Sequence, residues 1–342
     1  MLLRIRNWRC IEDLSLDLSL INVFIGRNST GKSSVAYAIY FFSKLSKKYD
    51  ISLLSKNLYG LPIKELARFD GTKRYFPIEI NIGDDYFCYD HNNSSNIIIP
   101  EKSPWVESYL LPSKRIGLFE AANFINKFLK ETPRDMLSTM GWMLDIVRKI
   151  LTETPLLPPL PMFLGDYVRA IHGLIEQPAI RYSEDVGNLF IFRSPLIWMV
   201  EYYIEDPFLP GVRSSIESAP EGALDILLIR PLIDRIPNNS LVVIEEPENN
   251  KNPLLQIKLV KHMAKTSLEK NITLVVTTHS EIILLTLTKL VEEKILKPEH
   301  IRIYYLLRTK EDPWTQAKQI KIYEDGSMDT IPDSQEATMQ LF

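Results

Sequence analysis

Three short runs in the 342-residue chain hold groups whose types and spacing do chemistry. Gly26-Arg27-Asn28-Ser29-Thr30-Gly31-Lys32-Ser33, followed by Ser34, satisfies the Walker A pattern G-x-x-x-x-G-K-[ST] without a mismatch. In such a loop, backbone N–H groups surround a phosphate at a helix N-terminus, where the helix dipole favours negative charge. Gly26 and Gly31 permit the dihedrals and the close approach, Lys32 reaches the β- and γ-phosphates, and the Ser33 hydroxyl ligates Mg2+. Leu241-Val242-Val243-Ile244-Glu245-Glu246 is an apolar run ending in two carboxylates, with Pro247 and Glu248 beyond. There Glu245 is placed to hold Mg2+, directly or through water, and Glu246 to orient or deprotonate the water that attacks a γ-phosphate. Thr277-Thr278-His279-Ser280 closes the apolar run ITLVV. A neutral imidazole at His279 suits contact with the γ-phosphate or the attacking water, reporting which nucleotide is bound.

Each run has a plainer alternative: a chance glycine-serine turn, two carboxylates that merely solvate a strand end, and a histidine in an ordinary loop. The elements around them decide between the two. LLRIRNW, IEDLSLDL and INVFIG read as three strands, and the last leads straight into the glycine loop and then the buried-helix pattern VAYAIYFFSKL. LVVIE and ITLVVTT are continuous apolar runs of the buried parallel kind, separated by the helix pattern PLLQIKLVKHMAKTSLEK. The helix EIILLTLTKLVEEKIL and the strand IRIYYLLR follow. The acid pair and the histidine therefore terminate strands in successive βαβ units, which lets them converge on one edge of a parallel sheet.

The fold class expected is α/β, with a mostly parallel core sheet, an N-terminal antiparallel β subdomain and an inserted helical region. Residues 1–100 form a lobe with the phosphate loop and a β meander over about 74–99. Residues 101–215 form the mainly helical insertion, with Thr152 to Pro161 as an extended connector, because a proline-rich run cannot sit inside a helix. Residues 216–342 form a second lobe. It begins with the helix GALDILLIRPLI, which Pro231 is expected to end or kink.

Composition bounds the surroundings. With 40 Lys+Arg against 43 Asp+Glu and 45% hydrophobic residues, the chain reads as an ordinary globular protein with no polyanion-coating role. Cys10 and Cys88 are too few for a disulfide framework or a cysteine-rich zinc site, which favours a reducing cytoplasmic compartment. The richest apolar stretch, residues 223–236, is interrupted by Asp225, Arg230 and Asp234 and is too short for the ~20 residues a membrane span needs. Residues 1–50 hold eight Lys/Arg and four Asp/Glu, an excess that phosphate chemistry alone accounts for, so no nucleic-acid site is read from charge.

The N-terminal run through GRNSTGKSSV, the strand end IEEPE and the run VVTTHS resemble the ATP-binding-cassette-type P-loop ATPase heads of the RecF, SMC and OLD-like group. They are most similar to the short prokaryotic AAA-type ATPases of that group. The resemblance covers about residues 1–50 and 215–342. It implies a Mg2+-dependent ATPase that forms a homodimer on ATP, with nucleotide on one subunit covered by a signature turn from the other. The candidate turn is Ser218-Ala219-Pro220-Glu221-Gly222, with Ser218 and Gly222 toward the nucleotide, although its spacing departs from the compact serine-x-glycine form and an ordinary helix cap is an equal alternative. Glu245 stands where many relatives carry Asp, and Asn250 where OLD-like relatives often carry His. Leu111-Pro112-Ser113-Lys114-Arg115 is similar to a Pro-Ser-x-Arg turn of several relatives. For Arg115, approach to the nucleotide or the dimer seam stands beside a solvated basic turn, the reading preferred from sequence.

Lengths exclude some members of that group. No apolar heptad persists through residues 34–240, so long SMC arms are not expected. Only 63 residues follow His279, fewer than a further domain of typical size takes, so a TOPRIM nuclease of the OLD type is not expected. The function expected is an ATP-driven dimer switch serving DNA or RNA maintenance or anti-phage defence, with any nuclease or effector a separate protein and no membrane partner. The alternatives are a non-catalytic nucleotide-gated scaffold or toxin–antitoxin component, and a transporter cassette.

Overall fold

The computed structural model describes residues 1–91, 97–117, 162–163, 165–166, 180–181, 188–193, 200–206, 208–209, 211–215 and 220–333. The chain opens with the hairpin β1 (Leu2–Trp8) and β2 (Ile11–Asp17), whose alternating burial puts one face on a core and the other in water. β3 (Ile21–Ile25) is buried at every position, as a central parallel strand must be. The loop after it feeds α1 (Lys32–Leu45), nearly all of it buried. α2 (Ile51–Tyr59) follows, capped by the Asp50 carboxylate on the Leu53 amide. The meander is β4 (Ile78–Ile82), β5 (Asp85–Tyr89) and β6 (Ile97–Ile98), which joins the first hairpin in an antiparallel sheet of order β2-β1-β4-β5-β6.

β7 (Ser108–Leu111) is next, then β8 (Ile180–Arg181), β9 (Asn188–Arg193), β10 (Val200–Glu205) and β11 (Arg213–Ser215). α3 (Glu221–Arg235), β12 (Leu241–Glu245), α4 (Pro253–Lys270), β13 (Thr273–Thr278), α5 (Glu281–Glu292), β14 (Ile301–Leu307) and β15 (Gln316–Ile320) complete the order. The core sheet runs β15-β14-β3-β13-β12-β7, parallel throughout except for β15.

The core sheet separates two apolar layers. Phe24, Val243, Val275 and Leu306 face α1 and the antiparallel sheet, while Val23, Ile25, Val242, Ile244 and Val276 face α3, α4 and α5. Pairing is in register at the carboxyl ends. Glu245 lies opposite Thr277, Thr278 opposite Ile25, and Ile25 opposite Tyr305. The loops that leave β12, β13, β3 and β14 therefore start side by side on one edge.

Two local features differ from the sequence reading. α3 continues through Pro231 to Arg235, because burial of Leu232 and Ile233 offsets the one backbone hydrogen bond the ring removes. Within residues 101–215, β7 joins the core sheet and β8 to β11 form an antiparallel sheet of order β11-β10-β9-β8. NLFIFR and VEYYIE are strand-forming through their aromatic and β-branched residues. The helix-like segments and proline-rich connector read between 118 and 161 lie outside the described residues.

A carboxylate further along the chain is tied to α1 and β7. Asp166, 1% exposed, accepts from Lys44 Nζ at 2.8 Å, from Tyr40 Oη at 2.7 Å and from the Leu110 amide at 2.9 Å. Removing one partner of such a pair leaves a buried charge exposed to a low-dielectric interior. Lys44→Met is accordingly expected to lower unfolding free energy by about 3 kcal/mol, read by chemical denaturation.

Candidate functional site

The loop after β3 owes its shape to its glycines. Gly26 has φ 146° and Gly31 φ 102°, and a Cβ on Gly26 would collide with the Leu306 carbonyl oxygen of the neighbouring strand. Ser29 also lies in the left-handed region, at φ 63°. The loop ends as the N-cap of α1, where Gly31 supplies no side-chain cap and the first turn carries no acid. That helix start offers its amides to an anion, the fit a phosphate requires.

Lys32 Nζ donates to the carbonyls of Gly26 and Arg27, each at 2.8 Å, so the ammonium lies across its own loop. Burial lowers its pKa from the usual lysine value, and the nearby carboxylates of Glu246, Glu248, Glu245 and Asp333 oppose that shift. An additional anion in the loop would favour the charged form further.

A cleft of about 580 Å3 opens over this loop. On its walls lie Asn28, Ser29, Gly31, Lys32, Ser33 and Ser34 from the loop, with Glu246 from the end of β12 and His279 from the end of β13. His279 Nε2 stands 4.0 Å from Glu246 Oε1, and Asn249 Nδ2 donates to Glu246 Oε2 at 2.9 Å. Arg9, Phe69, Arg74 and Trp314 also line the cleft. Two loop residues face elsewhere. The Arg27 guanidinium pairs with Asp333 at 2.7 Å, and Thr30 lines an adjoining cavity while its hydroxyl donates to the Arg27 carbonyl at 2.9 Å.

Glu245 stands behind this cleft. Only 5% exposed, its Oε2 accepts from Tyr37 Oη at 2.7 Å and from the Ser113 amide at 3.2 Å. Burial and the adjacent Glu245 charge push the Tyr37 phenol well above its ordinary pKa, so it stays a donor. With Ser33 on the cleft wall and Glu245 within electrostatic reach of Lys32, the oxygen donors suit a hard divalent ion. Ser218 lies outside the described residues. Gly222 is buried in the first turn of α3, against the Asn250 carbonyl, and it does not line this cleft.

Arg115 corrects the sequence reading, which preferred a solvated turn. Its side chain is 1% exposed, and it bonds Asp225 and the carbonyls that follow β12. Three further residues escaped sequence reasoning. Tyr37 steadies Glu245. Glu248 Oε1 accepts from Thr278 Oγ1 at 2.8 Å and from the His279 amide at 2.7 Å, tying the acidic loop to the histidine turn. Arg308 donates from Nη1 to the Ser29 carbonyl at 2.8 Å. The third carboxylate of EEPE was the one visible signal, since Tyr37 and Arg308 belong to no motif.

Residues 1–140 match the family described as AAA ATPase domain. Among solved structures, an SMC head bound to the C-winged helix domain of ScpA is similar at 11% identity and TM-score 0.50, covering 94% of this chain and 98% of that one. The SMC head domain from Thermotoga maritima is 8% identical, with TM-score 0.44 over 94% of this chain and 98% of that one. An SMC head with an extended coiled coil, bound to the C-terminal domain of ScpA derived from Pyrococcus furiosus, is 9% identical, with TM-score 0.48 over 99% and 98%. No curated protein matches the chain. The chain has the fold of an SMC-like P-loop ATPase head. Among the described residues no helix is long and apolar enough to cross a membrane.

Because the β14 carbonyl cannot recede from position 26, Gly26→Ala is expected to cost about 2 kcal/mol of stability, measured as a shift of the urea midpoint at unchanged slope.

Proposed function

We propose that this chain binds ATP with Mg2+ in the cleft over the phosphate loop and hydrolyses its terminal phosphoanhydride bond. The observation that supports this reading is the meeting of Lys32, Ser33, Glu246 and His279 in one cleft. In it, the amides at the start of α1 and the Lys32 ammonium hold the β- and γ-phosphates. Ser33 and Glu245 would hold the ion that accompanies ATP, and that ion would supply positive charge against the phosphates. Glu246 takes a proton from the attacking water as its oxygen bonds to the γ-phosphorus and the Pβ–O–Pγ bond breaks, leaving ADP and phosphate. His279 faces the same water or the γ-phosphate and senses its departure. The nucleoside half lies toward Arg9, Phe69, Arg74 and Trp314, whose flat groups suit stacking on a purine.

The reading extends to a homodimer closed on ATP, in which the turn from Ser218 to Gly222 of one copy faces the nucleotide of the other. The dimer acts as a switch on a partner, either nucleic acid or an effector protein, in genome maintenance or defence.

Two variants test it. Lys32→Ala is expected to abolish both ATP binding and turnover. Glu246→Gln should keep binding while losing ~10²- to 10⁴-fold in kcat, and light scattering should find it as an ATP-bound dimer. A chain that stays monomeric at saturating Mg·ATP overturns the dimer. Tight ATP binding without turnover, alone or with DNA or RNA, overturns hydrolysis in favour of a nucleotide-gated scaffold.

A further inference from the structure

Arg115 spends every donor of its side chain next to the end of β12. A guanidinium has five N–H donors. Here Nε donates to Asp225 Oδ1, Nη1 to the carbonyls of Pro112 at 3.0 Å and Glu245 at 2.5 Å, and Nη2 to Asp225 Oδ2 at 2.6 Å and the carbonyl of Glu246 at 3.2 Å. All five are used, and three of the acceptors are main-chain oxygens. Two of those belong to the peptide groups on either side of the Glu246 α-carbon, so one rigid plane fixes the direction in which the Glu246 side chain leaves the chain.

That direction needs fixing. Glu246 has φ 45°, a left-handed conformation that a non-glycine residue holds only when its surroundings over-determine it. Its amide donates to the Thr277 carbonyl at 2.8 Å, which leaves the carbonyl side to Arg115 and to the Asn249 amide at 3.1 Å. Asp225, fully buried in α3, aims the guanidinium and also accepts from Lys251 Nζ. A lysine at 115 has three donors and no plane, and it cannot reproduce this grip.

We propose that Arg115 is a positioning residue for Glu246, acting through the main chain, and that Asp225 sets its aim from α3. The inference rests on the hydrolytic reading given above, in which Glu246 activates water.

Steady-state ATP hydrolysis tests it in the full chain, with affinity taken from titration of a fluorescent ATP analogue. Arg115→Lys should lose ~100-fold in kcat, the penalty for displacing a reacting group by about 1 Å, with affinity for the analogue within about threefold of wild type. Asp225→Asn should lose kcat in the same sense with the same retained affinity. In a Glu246→Gln background, Arg115→Lys should cost less than about twofold more, because the group it positions is already gone. The proposal is overturned by kcat within about twofold of wild type in both variants, by affinity falling in parallel with kcat, or by an equal loss with and without Glu246. If Arg115→Lys fails to fold, the near-isosteric Asp225→Asn decides by the same criteria. A wild-type chain that binds the analogue but turns over no ATP overturns the hydrolytic reading and this inference together, whereas an active wild type leaves only Arg115 in question.

Discussion

Parallel registration of four neighbouring strands is the constraint on which everything else depends. Side-chain direction in a strand alternates with period two, so a slip of one residue between β12 and β13 would turn Glu245 and Thr277 to opposite faces. The slip is resisted on both sides at once, because odd and even residues of each strand enter different apolar layers. A strand with one solvated face could trade registers at modest cost, whereas one buried on both faces cannot. The alignment of Gly26, Glu246, His279 and Arg308 at one edge is thus a by-product of filling two cores.

Above that edge, control passes from apolar packing to directional polar contacts. Tyr37, from the second turn of α1, reaches the Glu245 carboxylate. Glu248 spans from the acidic loop to the histidine turn, and Arg115 spans from the end of β7 to the end of β12. Each ties the end of β12 or the loop after it to a different neighbouring element, which holds that loop from several sides. Polar contacts suit the task because hydrogen bonds are directional, and a carboxylate that must meet one water needs direction more than area.

Sequence made the phosphate loop, the acid pair and the histidine legible because each is a local pattern next to an element with its own local signature. The parallel core was legible for the same reason, through continuous apolar runs alternating with helical periods. What stayed hidden was long-range. The Tyr37–Glu245 contact joins residues 208 positions apart, and Arg115 meets the Glu245 carbonyl across 130. An arginine in a proline-serine turn has the composition of a solvated loop, and nothing nearby in the chain betrays that Asp225 waits to receive it. The strands β9 and β10 are hard to see in the sequence because the residues around them carry helix-like patterning.

Lys44 and Asp166 are donor and acceptor across 122 positions, one on the helix that follows the phosphate loop and the other in a stretch that differs from the rest of the chain in its patterning. Neither has water to fall back on. Their identities are therefore not independent: a lineage that loses the carboxylate must also give up the ammonium, most simply for an aliphatic residue of similar volume. Across related sequences the two columns should change hands together, and their joint state would tell whether the intervening stretch has been kept, replaced or lost.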